Sequence, residues 1–126
     1  MTLTTKYGLI AGPTDPTPAD LGVFSSLGFG AVKLLCGVHS PAAVSAFRDA
    51  GAFILQARVV YPEIANGRTP AQFVDDRRAA IATFINAGLG DFEILDEPNL
   101  SRGGYGASWP SGDGFNNWFR EAADRL

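Results

Sequence analysis

The chain holds one cysteine, one histidine and one methionine in 126 residues. A lone Cys36 excludes an internal disulfide and any cysteine-based zinc cluster, and a lone His39 removes most histidine-rich metal sites. No apolar run approaches the roughly 20 residues that span a bilayer, and positions 1 to 10 have neither the basic start nor the apolar stretch of a signal peptide. The expectation is a chain without a membrane or export signal, cytoplasmic by default. Basic residues are scarce as well: 10 Lys and Arg stand against 13 Asp and Glu, for a net charge of -3, and no basic run occurs. Neither nucleic acid nor an anionic membrane is an electrostatically favoured partner. Nothing in the composition calls for a cofactor. What remains is ordinary globular material, 46% hydrophobic and 18% charged, enough for one core and one domain over 1–126.

Three segments share a layout. Thr17-Pro18-Ala19-Asp20, Ser40-Pro41-Ala42-Ala43 and Thr69-Pro70-Ala71-Gln72 each place a hydroxyl at a helix N-cap and proline at the first helical position. Asp20 and Gln72 follow their caps by three residues, the spacing of a capping box. Gly28, Gly51 and Gly88 then close the helices, and a strand pattern follows each: Ala31 to Cys36, Ala52 to Val59, Asp91 to Asp96, with a first near Tyr7 to Ala11. Apolar positions at a 3.6 period mark the helix faces: Leu21 and Phe24; Val44 and Phe47; Phe73, Ile81, Phe84 and Ile85; then Phe115, Trp118, Phe119 and Leu126. Four βα units in succession predict a parallel sheet with right-handed crossovers.

Side-chain alternation selects the kind of sheet. Val32, Leu34 and Cys36, then Phe53, Leu55 and Ala57, then Phe92 and Ile94 form a helix-covered face. The opposite parity carries Lys33 and Leu35, then Ile54, Gln56 and Arg58, then Glu93, Leu95 and Glu97. A doubly wound sheet is apolar on both faces, whereas a barrel lumen tolerates such groups when Lys33 and Arg58 pair with Glu93 and Glu97. A full eight-stranded βα barrel takes about 250 residues. The fold class expected is therefore α/β: a parallel (βα)4 half of a TIM barrel, strand order 1-2-3-4, helices on one face. Its edges and lumen would lie open, so the domain is expected to be either an incomplete piece of a longer enzyme or a half completed by a partner, a homodimer being one such completion.

Reactive groups in parallel βα sheets sit at the carboxyl ends of strands, and the fourth strand ends Phe92-Glu93-Ile94-Leu95-Asp96-Glu97-Pro98-Asn99. This stretch resembles the fourth-strand signature of clan A glycoside hydrolases, an aromatic-Glu-aliphatic-X-Asn-Glu-Pro-Asn pattern. The resemblance implies that Glu97 is the general acid/base, protonating the glycosidic oxygen and then deprotonating the attacking water, and that Glu93 is a buried lumen carboxylate. It also implies a saccharide substrate. The family's asparagine before the acid is Asp96 here, which accepts a hydrogen bond from a sugar hydroxyl but cannot donate one. The family's nucleophile lies at the end of a seventh strand, beyond the four counted here.

Other rim residues complete the candidate set. Asp96, Asn99, His39, Arg58, Tyr61 and Trp109 are candidates for saccharide contact. For His39 the rival reading is a solvated or capping residue. Arg58 is read as neutralising the lumen glutamates in preference to touching substrate, and Trp109, in a glycine-rich loop with Tyr105, is either a stacking platform or a hydrophobic plug. Glu63 and Asp15 are loop carboxylates that nothing aims at Glu97. Asp75-Asp76-Arg77-Arg78 reads as solvated helix surface with a weak Asp75–Arg78 pair. Two functional classes stay open: half of a glycoside hydrolase, and a non-catalytic half barrel that self-associates or binds carbohydrate. A barrel isomerase or lyase built on Lys33, or on a metal held by Glu93 and Glu97, lacks a ligand set.

Overall fold

The computed structural model describes residues 8–59, 67–95 and 98–126. They form β1 (Gly8–Ile10), α1 (Pro18–Ser26), β2 (Ala31–Cys36), α2 (Ala42–Asp49), β3 (Ile54–Val59), α3 (Pro70–Asn86), β4 (Asp91–Ile94) and α4 (Gly112–Arg125). A short 3-10 turn, Ser101–Gly103, lies between β4 and α4. All strand pairs are parallel and the sheet order is β1-β2-β3-β4, a (βα)4 half-barrel arrangement.

Local chemistry accounts for the helix starts. Thr17 and Asp20 close a capping box: the Thr17 N–H donates to Asp20 Oδ2 at 2.8 Å and the Asp20 N–H to Thr17 Oγ1 at 3.3 Å. Thr69 and Gln72 repeat the arrangement on α3. The third hydroxyl behaves otherwise. The cap position of α2 is Pro41, without a side-chain bond, and the Ser40 N–H donates to Asp15 Oδ1 at 2.8 Å. Ser40 thus ties the α2 entry to the preceding βα loop instead of capping. Ser111 caps α4, accepting from the Gly114 N–H. Gly28, Gly51 and Gly88 follow α1, α2 and α3 with φ of 69°, 107° and 86°.

The register sorts the two faces. Leu34 lies beside Ala57 and Ala57 beside Phe92, and Cys36, Val59 and Ile94 form the next row. Val32, Leu34, Cys36, Ala57 and Val59 are buried under the helices with Phe24, Val44, Phe47, Phe73, Val74, Ile81 and Phe84. The opposite rows read Ile10, Lys33, Gln56, Asp91 and then Leu35, Arg58, Glu93. That second face is the polar, open one.

Several expected apolar positions fall elsewhere. Phe53 is 51% exposed, because the ladder opens only at Ile54 and a residue ahead of it has no pleat to direct its side chain. Ile85, Phe119 and Leu126 are exposed too, and α4 buries Trp118, as expected, together with Ala122. Leu95, expected beside Glu93 on the lumen face, is buried in the core with φ at 72°. A left-handed leucine ends the pleat, so β4 stops at Ile94 and the alternation does not run on past it. Arg77, expected on solvated surface, is half-buried against the end of β2. Arg78 donates to the Arg125 carbonyl at 3.0 Å, capping the end of α4 rather than serving Asp75.

Candidate functional site

Side chains of β2, β3 and β4 converge on one ion cluster on the open face of the sheet. Glu93 of β4 pairs with Lys33 of β2 through Oε2 and with Arg58 Nη2 of β3 through Oε1, the latter at 3.1 Å. Parallel register explains the meeting: Leu35, Arg58 and Glu93 share a row, and Lys33 lies on the same face one pleat below. The three side chains are between about a fifth and a third exposed, so the charges are partly desolvated. Burial pushes the Glu93 carboxyl upward, but the hydrogen bonds and charges of Lys33 and Arg58 together outweigh it, and the net displacement is below the usual glutamate value. Glu93 is held ionised and is unsuited to deliver a proton.

Beyond β4 the backbone is strained before it reaches the candidate residues. A buried leucine in the left-handed region costs of order 1 to 3 kcal/mol, and such residues cluster at functional sites. Leu95 immediately precedes Asp96 and Glu97. Those two, with Tyr61 and Glu63, lie outside the described residues.

The following loop is built on Trp109. Its ring is 1% exposed and its Nε1 donates to the Pro98 carbonyl at 2.9 Å. Phe115 and Trp118 pack on it with ring centroids 5.0 and 5.2 Å away. Gly104, at φ 120°, lies so close that a Cβ there would stand 2.5 Å from the far edge of the indole. Trp109 is the plug, with no open face for a sugar. The aromatic that stays open is Tyr105, 47% exposed. It borders an apolar hollow of about 230 Å³ with Pro98, Asn99, Ser111, Gly112 and Phe115. Tyr105 carries no distinguishing mark in the sequence, since its role follows from Trp109 being used up inside the loop.

The chain matches no family model, curated protein or solved structure. The site therefore stands on its own geometry.

Of the remaining candidates, Asn99 is exposed at the edge of the hollow beside half-buried Pro98. His39 is 4% exposed, and its Nδ1 accepts the Leu35 N–H at 2.8 Å. The other ring nitrogen, Nε2, is buried and has no hydrogen-bond partner among the described residues. The imidazole braces the β2 end instead of facing solvent or a sugar hydroxyl. Asp15 is exposed and spent on Ser40, whose hydroxyl and N–H hold its carboxyl below the ordinary aspartate value. Cys36 is buried beneath the cluster, and desolvation raises its thiol while Arg77 partly offsets the rise. Among the described residues no group of three His, Cys, Asp or Glu side chains is placed to hold a metal ion, and no helix is long and apolar enough to cross a membrane.

Proposed function

We propose that the chain is the N-terminal half of a glycoside hydrolase-like βα barrel, hydrolysing O-glycosidic bonds of a saccharide when completed, with Glu97 as general acid/base. The observation that carries the reading is the setting of the strand-four motif: Glu93 is doubly held by cations on the lumen face, and the backbone is forced left-handed at Leu95, directly before Asp96-Glu97-Pro98-Asn99. Since Glu93 is fixed as a carboxylate, the proton-cycling role falls to Glu97, the position that the motif's resemblance gives it. It would protonate the departing glycosidic oxygen, and a carboxylate from the completing half would attack the anomeric carbon. Glu97 would then take a proton from the water that releases the sugar. Asn99 and the open face of Tyr105 supply contacts to the saccharide, while Asp96 accepts from a sugar hydroxyl.

Turnover of a panel of aryl glycosides tests this reading once a completing half supplies the second carboxylate, the chain by itself being expected to show little or none. Activity that Glu97→Gln removes and Glu93→Gln only weakens is the expected result; activity indifferent to Glu97→Gln refutes it. The second reading, a non-catalytic half barrel that binds carbohydrate, is favoured by Asp96 standing where the motif has a donor amide. It predicts saccharide binding by calorimetry with no turnover of any substrate in the panel.

A further inference from the structure

The sheet's open edges and its terminal helices are complementary to one another. β1 (Gly8–Ile10) and β4 (Asp91–Ile94) are similar in length, and among the described residues each pairs on one side only, which leaves a row of backbone donors and acceptors on the other. Between them the lumen face holds a hollow of about 320 Å³ lined in part by Ile10, Lys33, Ile54 and Gln56, where Ile10 is 60% and Ile54 48% exposed. On the helices, α2 exposes no large hydrophobic side chain, α3 exposes Ile85 (54%), and the two terminal helices expose Val23 of α1 (56%) and Phe119 of α4 (36%). Val23 borders a cavity of about 350 Å³ between α1 and the edge strand, lined also by Leu9, Ala11, Phe24 and Phe47. Phe119 projects beside Phe115 on the flank of α4 at the other edge. One edge thus carries a hole and the other a knob.

We propose that these surfaces are an interface between two copies of this chain, related by a two-fold axis along the lumen. β4 of each copy lies beside β1 of the other, and α4 of each packs its Phe119 flank against α1 of the other. The two-fold rotation makes the β4–β1 contact twice within one isologous interface and closes, leaving no free edge. Charge makes a second copy an acceptable occupant: among the described residues of the lumen face Lys33 and Arg58 are balanced by Asp91 and Glu93, so joining two such surfaces brings together no net charge from them. The inference rests on the sheet and its helices and does not depend on the role of Glu97.

Sedimentation equilibrium of the full chain across micromolar concentrations tests it. The expected result is twice the 13.3 kDa chain mass. Val23→Glu and Phe119→Lys, both at exposed positions of the single copy, are each expected to weaken the dimer about a hundredfold or more, because the new charge is buried at both contacts. Far-UV circular dichroism checks that both variants keep the fold. Mixing the two variant chains restores the dimer, since one contact then joins Glu to Lys and the other is wild type. A monomeric wild-type chain overturns the proposal, as does a mixture of the two variants that stays monomeric. A dimer without glycoside turnover keeps the interface and removes only the hydrolase reading.

Discussion

Replacing Gly104 with alanine tests whether the fourth loop is seated as described. Two independent costs arise at this residue. Its φ of 120° is one that residues with a Cβ rarely adopt, which costs about 1 to 3 kcal/mol. The added Cβ also meets Trp109 carbons at 2.5, 2.8 and 3.0 Å. The indole has little room to yield, because Phe115 and Trp118 press on it and Nε1 is bonded to the Pro98 carbonyl. Overpacking of that kind adds about 1 to 3 kcal/mol, for a total near 4 kcal/mol, a large share of the about 5 to 15 kcal/mol that holds a domain together. Gly106, in the same loop with φ 84° and open space at its Cβ position, bears the backbone cost alone, about 1 kcal/mol. Urea unfolding followed by tryptophan fluorescence, at fixed protein concentration, should separate the two variants by about 1 to 2 M in midpoint and about 10 °C in Tm. Equal losses for Gly104→Ala and Gly106→Ala would refute the claim that Trp109 is rigidly packed.

Four further expectations follow from the cluster and the helix ends. Glu93→Gln leaves Lys33 and Arg58 without their shared counter-charge in a partly desolvated setting and should cost about 1 to 2 kcal/mol by chemical denaturation; a loss below about 0.3 kcal/mol would show the cluster to be only a surface pair. Because the Glu93 carboxyl is depressed in the fold, its stabilisation is complete above the unfolded glutamate value near 4.5 and fades as pH falls below it; the wild type should therefore lose stability between pH 5 and about pH 3 more steeply than Glu93→Gln. Thr69→Ala removes a true cap and should cost about 1 kcal/mol, whereas Ser40→Ala should cost less than half of that; equal effects in thermal melts would contradict the distinction. Arg48 reaches from α2 to the Ala87 and Gly88 carbonyls at the end of α3, so Arg48→Met should cost about 0.5 to 1 kcal/mol, with earlier hydrogen exchange of the Ala87 to Leu89 amides as its local signature.

Most of the fold was legible because its signals are local. The Thr17 and Thr69 boxes, the closing glycines and the alternation of β2 each depend on residues within a few positions, and the sheet order follows once four βα units are counted. The departures arise where a distant partner or a backbone angle decides. Ser40 reads as a cap until Asp15, 25 positions away, takes its N–H. Glu93-Ile94-Leu95 alternates well as a sequence, and only the φ of Leu95 shows that the pattern has ended. Trp109 and His39 looked like rim residues because both follow strands. Their burial depends on Gly104, Phe115 and Trp118 in one case and on the Leu35 N–H in the other, none of which has a composition signature. The ion cluster was foreseeable in part, since equal parity placed Lys33, Arg58 and Glu93 on one face.

The strictly sequential strand order has a kinetic consequence. Gly8 meets Ala31, and Ala31 meets Ile54, each partner roughly two dozen residues along the chain, so every pairing closes a modest loop and none waits for a remote segment. β2 and β3 share the longest ladder, six paired positions, flanked by α2 and the long α3. Assembly is expected to begin at that central pair and spread outward, leaving the two outer strands as the last to order and the first to fray. In a refolding experiment the centre would then appear in a fast phase independent of protein concentration, with the margins maturing behind it.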